Sequence, residues 1–188
     1  IEMEQTLTPA RKLSGQITVP GEFDMAAEAL VLASLSPEES RIANVPVSID
    51  PVVDVVRGLG AQIERTDSCL QIKGTGLGQW SAPLATVDLS ACGEAALPLM
   101  AVLAGHPFVA SARVDSDSVE LARRLLELLA PMGVASSEES EGVFRFDSDQ
   151  SLHGAEFGNE EIPRIVKLSL LIAAMSAEGR TIVRESVS

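Results

Sequence analysis

Basic residues are in short supply. Against 27 Asp and Glu stand only 14 Lys and Arg, a formal net charge of −13 over 188 residues. Neutralising a nucleic-acid backbone takes clustered Lys and Arg, so nucleic acid is excluded as a partner, and an anionic membrane surface with it. Aromatics are scarce as well: no Tyr, one Trp and five Phe, which removes base-stacking surfaces and aromatic sugar platforms. The two cysteines, Cys69 and Cys92, stand in no metal or redox spacing. They read as small buried hydrophobes and fit a reducing cytoplasm. No charged leader followed by an apolar stretch opens the sequence. The longest apolar runs, around Ile165–Met175 and Ala95–Ala104, are too short and interrupted to span a bilayer. The only histidines, His106 and His153, sit in turn-like contexts with no evident partner for acid–base work. No cofactor or metal motif appears: the glycine-rich stretch Gly74–Gly78 (GTGLG) lacks the spacing of a phosphate loop and reads as a flexible connection.

What the chain has is Ala, Val and Leu, enough at 46% hydrophobic to build a full core, and internal repetition. From Gly15 it reads as a strand (GQITVP), a helix near Met25–Leu35, a strand (SRIANVPV), a helix near Pro51–Leu59, then GAQIER and SCLQIKG as a hairpin. From Thr86 the order returns: TVDLSA, a helix over Gly93–Ala104, FVASARV, a helix over Ser118–Ala130, and the hairpin GVASSE/VFRFDS. The second helix of each unit ends in an apolar residue followed by Gly, as RGLG and APMG, where a left-handed cap is wanted. Asp50-Pro51 and Asp117-Ser118 read as the N-terminal caps of those helices. A third unit opens at Gly154–Phe157, continues in a helix over Pro163–Met175 and reaches the strand RTIVRE. The spacing predicts one α/β domain of repeated βαβαββ units, at about 15–73, 86–148 and a truncated third at 154–188. SSEESE, at Ser136–Glu141, reads as a solvated hairpin tip.

The first strand–helix junction, PGEFDMAAEA, is built like an anion site, with free backbone N–H groups and a helix N-terminus. Yet it carries Glu22, Asp24 and Glu28 and no cation. Asp24 reads as the helix N-cap and Glu28 as an acid complementing the dipole. Glu94 plays the same part at the second unit's first helix. A divalent-cation site is disfavoured, because no Asp-rich calcium loop or HExxH accompanies these acids.

GQITVPG, ESRIANV, RGLGAQIE, LLAPMG and AEGRTIVRES together resemble the enolpyruvyl transferases, and among them the 3-phosphoshikimate 1-carboxyvinyltransferase (EPSP synthase) family, over about Leu7–Ser188. The resemblance covers the N-terminal half of such an enzyme and implies one inside-out α/β domain of three βαβαββ units. It also implies an enolpyruvyl (carboxyvinyl) transfer activity of the shikimate pathway, completed by a second domain. The substrate motifs depart from the family's pattern. In P-G-[DS]-K-S-x-[ST]-x-R, Pro20 and Gly21 match, but Phe23 stands for the Lys, Asp24 for the first Ser and Glu28 for the Arg. In N-[AS]-G-T-A-x-R-P, Gly93, Ala95 and Pro98 match, while Ala91, Glu94 and Leu97 stand for the Asn, Thr and Arg. Glu120 stands where the Arg of an R-P-M stretch is expected, and Pro163-Arg164-Ile165 where S-[AS]-Q is. Arg164 and Lys167, three apart on one helix, are the only basic residues near a family site and the only candidates for residual substrate binding.

No catalytic residue and no cofactor are assigned on this reading. Alone, the chain is expected to be inactive and to serve as a non-catalytic binding or assembly module. The alternative is the N-terminal half of a working transferase, for the shikimate pathway or for a different acceptor. A small anionic substrate is disfavoured, and self-association or a protein partner that completes the third unit is expected.

Overall fold

The computed structural model describes residue 19 and residues 21–147, 151–158 and 161–184. The opening strand expected over 15–20 therefore lies outside the described residues, apart from Val19 and the junction glycine that follows. The first unit runs α1 (Phe23–Ser34), β1 (Glu39–Ile42), α2 (Asp50–Gly58), β2 (Gln62–Thr66) and β3 (Cys69–Lys73). The second runs β4 (Val87–Asp88), α3 (Ala96–Ala104), β5 (Val109–Arg113), α4 (Val119–Leu129), β6 (Ala135–Ser140) and β7 (Val143–Asp147). The third supplies β8 (Glu156–Phe157), α5 (Arg164–Ala174) and β9 (Ile182–Val183).

The sheets carry the repeat into three dimensions. In the first, β3 lies between β1 and β2, antiparallel to both; in the second, β7 lies between β5 and β6 in the same way. β4 pairs parallel with β5, and β8 parallel with β9. In the second and third units the first strand thus aligns with the second across a helix, as a crossover connection requires. Period-two alternation turns Ile63, Leu70 and Ile72 inward and leaves Gln62, Glu64 and Gln71 outside.

The helices divide by periodicity. α4 buries Val119, Ala122, Leu125, Leu126 and Leu129 at helical spacing and shows its Arg and Glu residues to solvent. α3, ALPLMAVLA, is apolar all round and every one of its residues is buried; such a helix belongs at the centre of a domain. α5 packs along it, and α1 and α4 also pack on it. Both predicted glycine caps form. Gly60 (φ 113°) and Gly133 (φ 100°) take the left-handed conformation. The N–H groups of Ala61 and Val134 reach back to the carbonyls of Val56 and Leu129, closing the same Schellman motif twice.

Several local expectations need correction. Asp50 is the first residue of α2 rather than its cap, and its carboxylate pairs with Arg65. The turn before α4 is organised by Asp115, which accepts from the backbone N–H groups of Asp117 and Ser118 and from the Ser118 hydroxyl. SSEESE forms most of strand β6 instead of a tip, with Glu138 ion-paired to Arg123. Cys69 is half-buried and accepts from Arg41, whereas Cys92 is fully buried and burial pushes its thiol up to about 12. The Gly74–Gly78 connection is anchored. A Cβ on Gly74 would come within 2.3 Å of the Ser34 carbonyl oxygen, and beyond it Trp80 is buried against His106.

His106 is likewise not isolated. It is 1% exposed, stacked on Trp80 at 5.5 Å and close to Phe108 at 5.3 Å. Its Nδ1–H donates to the Val102 carbonyl at 2.7 Å, which leaves Nε2 to accept the backbone N–H of Trp80 at 3.1 Å. This neutral tautomer satisfies both nitrogens. Burial holds the imidazole below its usual range, opposed by the Val102 carbonyl. Native His106 resists the proton that the unfolded chain takes up near its ordinary value of about 6.5. The associated stability is present above that value and lost as pH falls below it. Between about pH 7.5 and pH 5, urea unfolding of the wild type should lose up to about 2 kcal/mol more than that of His106→Gln, which cannot titrate. Equal losses in the two proteins would remove His106 as the cause.

Candidate functional site

The junctions of the three units meet at one corner. α1 begins at Phe23 and packs against the 3-10 turn Gly93–Ala95 that leads into α3. The contact is close: Gly93 has φ 54°, and a Cβ there would stand 3.0 Å from the Phe23 ring. Phe23, Asp24, Glu28 and Glu94 are thereby gathered, and Arg164 reaches them from the first position of α5.

Glu22, not Asp24, caps α1. Its carboxylate accepts the N–H of Asp24 at 3.0 Å and of Met25 at 2.6 Å, and these bonds, Met25 first, hold it below the usual carboxylate range. Glutamate is an uncommon cap because its chain is long, so the sequence pointed to the shorter aspartate two positions on. Asp24 lies inside the first turn instead. Burial pushes its carboxyl up, and the charges of Glu94, Glu22 and Glu28 push the same way.

Arg164 is the cation in this cluster. A single nitrogen, Nη2, donates to Glu28 Oε1 and to Glu94 Oε2, both at 2.8 Å. One guanidinium so joins the three units, spanning 136 residues in one direction and 70 in the other. The bond to Glu28, followed by that residue's charge, raises the Arg164 pKa further. Lys167 lies one turn on, half-buried. The remaining family positions go elsewhere. Ala91 is exposed in the turn before Cys92, Leu97 is buried in α3, and Glu120 lies at the start of α4, where it meets Arg123 at 3.4 Å. Among the described residues no three His, Cys, Asp or Glu side chains are placed to hold a metal ion, and no helix is long and apolar enough to cross a membrane.

With this geometry in view, the comparisons with known proteins decide the family. The EPSP synthase (3-phosphoshikimate 1-carboxyvinyltransferase) family model matches residues 7–188. The chain belongs to the EPSP synthase family. Among curated relatives, the 3-phosphoshikimate 1-carboxyvinyltransferase of Gloeobacter violaceus is 31% identical over 190 residues, covering 97% of this chain and 44% of the relative. That of Leuconostoc mesenteroides is 29% identical, covering 96% and 43%. The chain spans less than half the length of these relatives. The fold agrees with that of EPSP synthase from Acinetobacter baumannii at a TM-score of 0.81 and 21% identity, over 93% of this chain and 41% of that one.

Among the described residues around Arg164, four carboxylates, Glu22, Asp24, Glu28 and Glu94, stand against this guanidinium, which is joined to two of them. Removing the cation should therefore unbalance the corner more than a lone surface ion pair would. Arg164→Gln should lower the melting temperature by about 1–3 °C at low salt. The deficit should shrink in about 0.5 M NaCl, where the Debye length is only a few ångström. A deficit independent of salt would mean that Arg164 stabilises through packing.

Proposed function

We propose that this chain is an EPSP synthase-family domain whose junction no longer takes phosphorylated substrates, and that it works as a non-catalytic binding or assembly module. The observation that carries the reading is the engagement of Arg164 with Glu28 and Glu94. Arg164, which stands within the segment matching the family's S-[AS]-Q, is already committed to two of the chain's own carboxylates. Asp24 and Glu22 add negative charge where a phosphate would have to sit. Relative to the family's pattern, Phe23, Glu28 and Leu97 stand in place of three cations. A hydrogen bond to a charged group contributes roughly 1.5–3 kcal/mol. Three lost contacts amount to at least about 4.5 kcal/mol, over ~1000-fold in affinity before repulsion is counted.

The alternative, the N-terminal half of a working carboxyvinyltransferase, finds support in the family membership and in the relatives' own activity. On that version the acceptor would be less anionic than shikimate 3-phosphate, since the corner offers carboxylates rather than cations. Any transfer would also need groups from a further domain.

Titration calorimetry separates the two. With shikimate 3-phosphate, alone and with phosphoenolpyruvate, the expected result is no heat of binding up to millimolar ligand. Micromolar binding would mean that Arg164 and Lys167 still serve an anion, and the binding-module reading would fall.

A further inference from the structure

Three apolar side chains stand bare around the start of α1: Val19 at 71% exposed, Met25 at 73% and Val47 at 77%. They belong to segments that touch. The Val19 carbonyl accepts from the Asn44 side chain at 3.2 Å. Gly21 lies so close to the Asn44 backbone that a Cβ would fall 1.7 Å from its oxygen and 3.4 Å from the Pro46 ring. α1 itself packs on the 3-10 turn Val47–Ile49. Exposed apolar groups on touching segments mark an interaction surface where they form one patch, whereas scattered single ones need no explanation.

Among the described residues the rim around Met25 is acidic, while beside Val47 Arg65 donates to the Pro46 carbonyl at 2.9 Å and pairs with Asp50. Glu22 and Asp24 precede Met25 in the sequence and Glu28 follows it, with Glu94 beyond them. Glu28 and Glu94 are paired with Arg164. The Glu22 carboxylate accepts backbone N–H groups, which leaves its charge in place. Asp24 makes no ion pair among the described residues, and its carboxyl is pushed up first by burial and then by the charges of Glu94, Glu22 and Glu28; an incoming cation would relieve that repulsion. A second copy of the chain would bring the same carboxylates to the contact and a net charge of −13, so like charges would oppose it.

We propose that this corner is a docking surface for a basic protein segment, one that seats an apolar side chain against Met25, Val47 and Val19 and sets flanking Lys or Arg against Asp24 and Glu22. The proposal deepens the binding-module reading and rests on it. Apolar contact at the centre would supply the affinity, and the carboxylates would select sign and speed association.

Methyl-detected NMR with a short peptide of alternating lysine and leucine tests it. The expected result is chemical-shift change centred on the Met25 and Val47 methyl groups, with a dissociation constant below about 1 mM. Affinity should fall about 10-fold in the Met25→Ser/Val47→Ser variant and decline as salt is raised, while a peptide with glutamate for lysine leaves the spectrum unchanged. Both substituted side chains are exposed, and far-UV circular dichroism verifies that the variant folds. The proposal is overturned by silence at millimolar peptide, by unchanged affinity in the variant, by shifts centred on Glu138–Glu141, or by shifts that follow protein concentration without peptide. Heat from shikimate 3-phosphate would strike at the binding-module reading itself, whereas peptide silence alone would strike only at this surface.

Discussion

Everything in this molecule is arranged around a helix that water does not reach. All of α3 is buried, and its apolar residues face α1, α4 and α5 as well as its own sheet. Each fully buried Leu or Met contributes about 1.5–3 kcal/mol relative to exposure, and Leu97, Leu99, Met100 and Leu103 lie at 1% exposure or less. A polar stripe on α3 would have to find partners inside the core or turn the helix outward. Its uniform apolarity also fixes where the turn Gly93–Ala95 sits, beside the start of α1 and within reach of Arg164. The charged corner is thus a consequence of core packing.

Charge then decides what that corner suits. A helix start offers N–H groups and a favourable dipole for an anion, and the family scaffold keeps that geometry here. The side chains work against it: Glu22 takes two of the N–H groups for itself, and Glu28 and Glu94 hold the guanidinium of Arg164. Backbone and side chains therefore disagree about sign, and the side chains carry the full charges. If, as we propose, this surplus of carboxylate keeps phosphate out, a basic partner would complement the exposed Met25 and Val47.

Much of the fold was legible in the sequence because its signals are local. RGLG and APMG predicted two left-handed glycine caps, and both formed, each closing a Schellman motif. The hairpins and the helices α1, α2, α4 and α5 came out within one to three residues of their periodic runs. Caps were less legible. Glu22, Asp115 and the pairing of Asp50 with Arg65 depend on side-chain reach, which residue type alone does not give. The buried His106 was missed for a different reason: its partner Trp80 lies 26 residues away, and neither carries a local pattern. At the candidate site, the residues Phe23, Asp24, Glu28, Glu94, Arg164 and Lys167 were identifiable by likeness to family motifs. The clasp of Arg164 by Glu28 and Glu94 was not, since it is a contact between three repeats made only when α3 has brought them together.

The most direct test of this account is a carboxyl-carbon NMR titration of Asp24, followed with and without added phosphate. The central claim is that the junction is a crowded, partly buried carboxylate corner with the Arg164 guanidinium already engaged. It predicts that Asp24 titrates above the ordinary aspartate value of about 3.9 and that phosphate leaves the midpoint unmoved. A midpoint at or below the ordinary value, or one that shifts when phosphate is added, would show that cations still govern the corner and would contradict the account.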